Sequence, residues 1–74
     1  MNLNHKQKIG QTLKDIRIER KISLRKMAAL YGIKDKNGIV KIESGAFGDE
    51  ETPKRYCAAL GLKFYGKYSF KIVG

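Results

Sequence analysis

Lys36, Asn37, Val40 and Lys41 lie close together near the middle of the chain, and the chemistry open to them is recognition rather than bond-making. A lysine can donate to guanine or to a phosphate oxygen, an asparagine can pair in bidentate fashion with N6 and N7 of adenine, and a valine can meet a thymine methyl. Arg25, Lys26 and Lys34, just upstream, suit phosphate contacts, which orient a protein on a duplex without reading its sequence. Gly38 contributes no side chain. It either permits close backbone approach to DNA or simply weakens a helix by up to about 1 kcal/mol. Residues for catalysis are scattered. His5 stands alone, Cys57 is the single cysteine, and no paired-carboxylate, Cys/His or serine-triad arrangement is visible. Asp15, Glu19, Asp35, Glu43, Asp49, Glu50 and Glu51 read as caps, helix surface and loop, with Glu43 an ion-pair partner and Cys57 a core filler. No enzymatic activity, metal or cofactor is expected.

Charge points the same way as the donors. Sixteen Lys and Arg against seven Asp and Glu leave +9 on 74 residues, beyond the magnitude of about 2 to 8 that suits a small soluble domain. Such a surplus repels itself and favours a polyanionic partner, nucleic acid above all. The length allows one domain, which hides only about 60% of its unfolded surface. Without a disulfide, cohesion has to come from apolar packing, supplemented by a second copy if needed. No apolar run approaches the ~18 residues of a membrane span, and the start of the chain is polar, so a cytosolic protein without membrane contact is expected.

The elements that must position these side chains are helices. Over 6–20, Ile9, Leu13 and Ile16 form one apolar stripe among charged residues, with Ile18 covering an edge of the core. Residues 1–5 are expected to be flexible. Ser23 reads as the N-cap of a second helix running to about Leu30, with Leu24, Met27, Ala28 and Tyr31 as its apolar side. Gly32 closes it and Ile33 pins the turn to the core. Asp35 caps a third helix over 36–43, in which Ile39 and Ile42 face inward and leave Lys36, Asn37, Val40 and Lys41 outside. Positions 44–51 form a loop with Phe47 as a plug. Thr52 followed by Pro53 reads as an N-cap with proline at the first helical position, opening a helix to Gly61 whose inward set is Tyr56, Ala59 and Leu60.

The tail has a different period. Leu62 and Phe64, then Tyr68, Phe70 and Ile72, are separated by Lys63, Lys67, Ser69 and Lys71, the alternation of a half-buried strand. A single strand leaves an unpaired edge. It therefore either folds back near Gly66 as a hairpin or pairs with the same tail of another chain.

Two short helices joined by a tight glycine-containing turn and preceded by an amphipathic helix form a helix-turn-helix pattern. In order, Ile9-Gly10-Gln11-Thr12-Leu13-Lys14-Asp15-Ile16-Arg17, then Ser23 to Ile33, then Ile39-Val40-Lys41-Ile42-Glu43-Ser44-Gly45 and Ala58-Ala59-Leu60-Gly61-Leu62 resemble the Cro/CI-type (XRE-like) family of phage and bacterial regulators. The resemblance covers roughly 7–62. It differs at Leu24, where the family commonly carries a phosphate-bracing glutamine, by one extra residue in the turn, Lys34, and by a loop after Gly45 about one residue shorter. It implies an all-α, four- to five-helix lambda-repressor-like domain over 6–62 that binds operator DNA, usually as a dimer, without enzymatic activity. Some family members, antitoxin-type repressors among them, follow the last helix with a strand that joins two subunits. The tail 63–74 is similar, and Phe64, Tyr68, Phe70 and Ile72 are expected to help build such a homodimer.

The expected function is sequence-specific binding of double-stranded DNA as a transcriptional regulator, a repressor by resemblance. The alternative is an antitoxin-like or adaptor module that binds a second protein, suggested by Leu24 and by the aromatic tail Phe64, Tyr65, Tyr68 and Phe70. RNA binding is a third reading, supported by charge alone.

Overall fold

The computed structural model describes residues 3–66 and 69–74, and these form four α-helices followed by a two-stranded antiparallel hairpin. Helix α1 spans His5–Glu19. It starts one residue before the expected Lys6 because Asn4 and Gln7 cap each other: the Asn4 carboxamide oxygen accepts from the Gln7 amide at 2.8 Å and the Gln7 carboxamide oxygen accepts from the Asn4 amide at 3.0 Å. This reciprocal box extends order into the segment 1–5 that was expected to be flexible.

Helices α2 (Leu24–Tyr31) and α3 (Lys36–Glu43) have the expected caps. The Ser23 hydroxyl accepts from the Lys26 amide at 3.0 Å, and the Asp35 carboxylate accepts from the Asn37 amide at 2.9 Å. Gly32, at φ 94°, closes α2 in the left-handed conformation, and the Ile33 amide then donates back to the Ala28 carbonyl.

Helix α4 spans Glu51–Ala59, and its start differs from expectation. Thr52 lies inside the helix, and its amide and hydroxyl both donate to the Asp49 carboxylate. Asp49 thus serves one free amide of the first turn, where the amide proton that Pro53 lacks would have had no helical partner. Leu60 follows as the C-cap, with Gly61 at φ 74° beyond it.

The core is built from Ile9 and Leu13 of α1, Met27 and Ala28 of α2, Ile39 and Ile42 of α3, Tyr56 and Cys57 of α4, and Phe64. Phe47, Ala59 and Leu60 pack against it, half-buried. The α1 stripe departs from expectation in its last turn. Ile16 is half-buried and Ile18 is 54% exposed, whereas Arg17 takes the inward position.

The tail folds back on itself. Strand β1 (Lys63–Gly66) pairs with β2 (Phe70–Val73), placing Phe64 opposite Ile72, Tyr65 opposite Lys71 and Gly66 opposite Phe70. The inner face carries Phe64, Phe70 and Ile72, with the Phe64 and Phe70 rings stacked at 6.0 Å between centroids. Tyr65 and Val73 are exposed on the outer face. Of the residues expected to join two subunits, Phe64 is already buried in its own chain, Phe70 and Ile72 are half-buried, and Tyr68 lies outside the described residues.

Candidate nucleic-acid interface

Helix α3 has two sides of opposite character. Ile39 is fully buried and Ile42 nearly so, and both pack into the core shared with α1, α2 and α4. Lys36, Asn37, Val40 and Lys41 are all exposed on its other side. Val40 keeps 45% of its surface open and is the aliphatic member of this otherwise polar face. Arg25 and Lys26, in the first turn of α2, and Lys34, in the turn, are exposed as well. Arg25, Lys34, Asp35 and Lys36 line one shallow concavity where the α2 start meets the turn. The free amides at the N-termini of both helices add partial positive charge. Among the described residues the ion pairs are Arg17 with Glu43 and Lys54 with Glu51, so none of Arg25, Lys26, Lys34, Lys36 or Lys41 is neutralised by one.

The angle of α3 is set from its C-terminal end. Glu43 is buried, and its carboxylate accepts from Arg17 Nε at 2.7 Å, from Arg17 Nη2 at 3.2 Å and from the Tyr56 hydroxyl at 2.7 Å. The remaining Arg17 nitrogen, Nη1, donates to the Ile22 carbonyl at 2.8 Å. One carboxylate therefore joins α1, α3 and α4, and the guanidinium also holds the turn leading into α2. The hydrogen bond to Glu43 raises the Arg17 pKa against the opposing effect of burial. Burial, followed by the hydrogen bond to Glu43, pushes the Tyr56 phenol well above its usual range. Glu43 is the ion-pair partner its position suggested. Arg17 and Tyr56 were not foreseen in this role.

No protein-family model, curated protein or solved structure matches the chain.

One glycine lets two helices approach and another makes room for a side chain of the turn. A Cβ at Gly10 would lie 2.5 Å from the Glu43 carbonyl oxygen and 2.8 Å from that of Ile42, so α1 crosses the end of α3 backbone to backbone. At Gly38 a Cβ would lie 2.6 Å from Ile33 Cδ1. Gly38 therefore leaves room for the side chain that anchors the turn. This is a third role, beside the two its sequence position suggested.

The face is equipped to donate hydrogen bonds and to neutralise anions. Among the described residues no cluster of His, Cys, Asp and Glu can hold a metal ion. Cys57 is fully buried, and desolvation pushes its thiol up to about 11, far from a reactive thiolate. No helix among them is long and apolar enough to cross a membrane.

Proposed function

We propose that this chain is a Cro/CI-like helix-turn-helix protein that binds double-stranded DNA sequence-specifically as a transcriptional repressor. The observation that carries the proposal is the two-sided α3: Ile39 and Ile42 fix it to the body, while Lys36, Asn37, Val40 and Lys41 stay exposed beside cations free of ion pairs. In this reading α3 enters the major groove with its N-terminal turn towards the base edges. Lys36 and Lys41 donate to guanine or phosphate, Asn37 pairs with adenine, and Val40 meets a thymine methyl. Arg25, Lys26 and Lys34 hold phosphates. The lambda-repressor-like arrangement is part of the proposal and is supported by the order of the four helices and by the capped α2–α3 turn.

Selection from random duplex DNA by the purified chain tests it. A recovered motif whose binding weakens in Lys36→Ala and Asn37→Ala is the expected result. A motif bound equally well by both variants removes those residues from the base-reading role, and failure to enrich any duplex removes the function.

A homodimer belongs to the same proposal, with two recognition helices spaced by about one DNA turn, ~34 Å. A shallow groove in which Ile16, Leu62, Phe70 and Ile72 lie beside the polar Thr12, Glu19 and Arg20 supports it as a joining surface. A second copy would have to use this groove and the hairpin edges, since Phe64 is occupied. Sedimentation of a concentrated sample as an unchanged monomer would argue against it. The adaptor reading has one specific support, the exposed Tyr65 and Val73 on the outer face of the hairpin. Binding to DNA that falls steeply with salt separates the two, because counterion release accompanies phosphate contacts and not apolar docking.

A further inference from the structure

Leu24 is the first residue of α2, where a polar side chain would serve a phosphate, and its surroundings give it a different task. It lines an open cleft of about 290 Å³ together with Val40 and Ser44 from the α3 side and Gln11 and Lys14 from α1, with the Arg17–Glu43 pair also contributing to the wall. Leu24 is half-buried against the core and Val40 is 45% exposed, so the cleft presents an aliphatic surface to solvent. Of the cations in its wall, Lys14 is exposed and, among the described residues, takes part in no ion pair; Arg25 and Lys41, next in sequence to Leu24 and Val40, are likewise exposed and unpaired there.

An occupant must be apolar where it meets Leu24 and Val40 and anionic immediately around that point. Duplex DNA meets both demands in the major groove, where the 5-methyl of thymine is the one apolar group on the base edges and phosphates flank it on either side. Resting on the DNA-binding reading above, we infer that Leu24 and Val40 together form a receptor for pyrimidine 5-methyl groups and that Lys14 of α1 holds an adjoining phosphate. The preferred site therefore contains thymine opposite this cleft. Leucine gives up the phosphate contact of a polar residue and supplies half of the methyl-binding surface instead.

The test alters the DNA, so the protein stays intact. A duplex recovered by random selection is rebuilt with deoxyuridine in place of each thymine in turn, which removes one methyl and leaves every hydrogen bond. The expected result is about a fourfold loss of affinity at one or two positions, the effect of one buried methyl group. Cytosine to 5-methylcytosine at a C-substituted site should recover part of the loss. In Val40→Ala and Leu24→Ala the uracil penalty should shrink towards unity. Val40 is exposed, so its variant remains informative even if Leu24→Ala folds poorly.

Uracil tolerated at every position, or a selected site without thymine, overturns the inference and leaves DNA recognition by Lys36 and Asn37 standing. A penalty undiminished in Val40→Ala also overturns it, since the methyl would then be read elsewhere. If no duplex is bound with sequence preference, both the inference and the function it rests on fail.

Discussion

Replacing Arg17 by Met removes the charge that faces Glu43 but leaves the carboxylate buried, with the Tyr56 hydroxyl as its one remaining donor among those described. Breaking a buried pair from one side typically costs about 3–5 kcal/mol, because the surviving ion keeps its desolvation penalty. The Ile22 carbonyl loses its donor as well, adding about 1 kcal/mol. A domain of 74 residues has roughly 4–11 kcal/mol of stability in all. Arg17→Met and Glu43→Leu should therefore each lower Tm by at least about 12 °C and leave the chain close to unfolding at room temperature. The apolar triple variant Arg17→Met, Glu43→Leu, Tyr56→Phe should lie much nearer the parent, since no ion is then stranded. Urea titrations followed by far-UV circular dichroism give all four stabilities under one condition. Single variants that each cost less than about 1 kcal/mol and add simply when combined would refute the reasoning. They would mean that the three side chains are solvated in the protein as it exists.

Gly10→Ala should destabilise by about 1–3 kcal/mol in the same assay, because the new methyl meets the Glu43 and Ile42 backbone, which cannot turn aside. Gly38→Ala should be close to neutral: its methyl meets only the movable end of Ile33, and alanine offsets the clash by up to about 1 kcal/mol of helix propensity. A large loss at Gly38 would show that Ile33 is fixed. Stability should decline in alkali. The Cys57 thiol rises from 9.0 to about 11 on folding, so both states keep the proton below pH 9, while between pH 9 and 11 the unfolded chain releases it first. That contribution amounts to about 3 kcal/mol once both states are ionised above pH 11, and about half of it is lost by pH 10. Tyr56, also raised, acts in the same direction at higher pH. The urea midpoint at pH 8, 9 and 10 follows the decline, which Cys57→Ala should soften, and a flat midpoint would contradict it. For DNA, Lys26→Ala should weaken binding uniformly across sequences and reduce the slope of log affinity against log salt by about 1, measurable by fluorescence anisotropy.

The parts of the fold that were legible in the sequence depend on neighbours a few residues away. Ser23, Gly32 and Asp35 act on amides and carbonyls within their own turn, so the ends of α2 and α3 followed from them directly. Periodicity placed Ile39 and Ile42 inside, and the exposure of Lys36, Asn37, Val40 and Lys41 came with it. Arg17 was misplaced because burying a guanidinium requires Glu43, which lies 26 residues away and is brought near by the fold. A signal was present in the spacing, since Ile9, Leu13 and Arg17 continue one inward line at intervals of four. The α4 start shifted for a related reason. Asp49 and Thr52 both offer good caps, and only the path of the loop decides between them. Alternation in the tail fixed its faces but not its partner, since the period of a strand is the same whether it pairs within or between chains. The cleft at Leu24 draws on three helices and had no signature in any one of them.

In the DNA-binding reading proposed above, the clasp formed by Glu43 also governs how the protein meets a duplex. Eight residues are too few to remain helical unaided in water, yet α3 is tied through that single carboxylate to two other helices. Its shape is therefore set before any encounter, and little ordering entropy remains to be lost on contact. Amide exchange in this segment should be as slow as in the deepest part of the protein, so that the rod offered to a groove loosens only when the whole chain does.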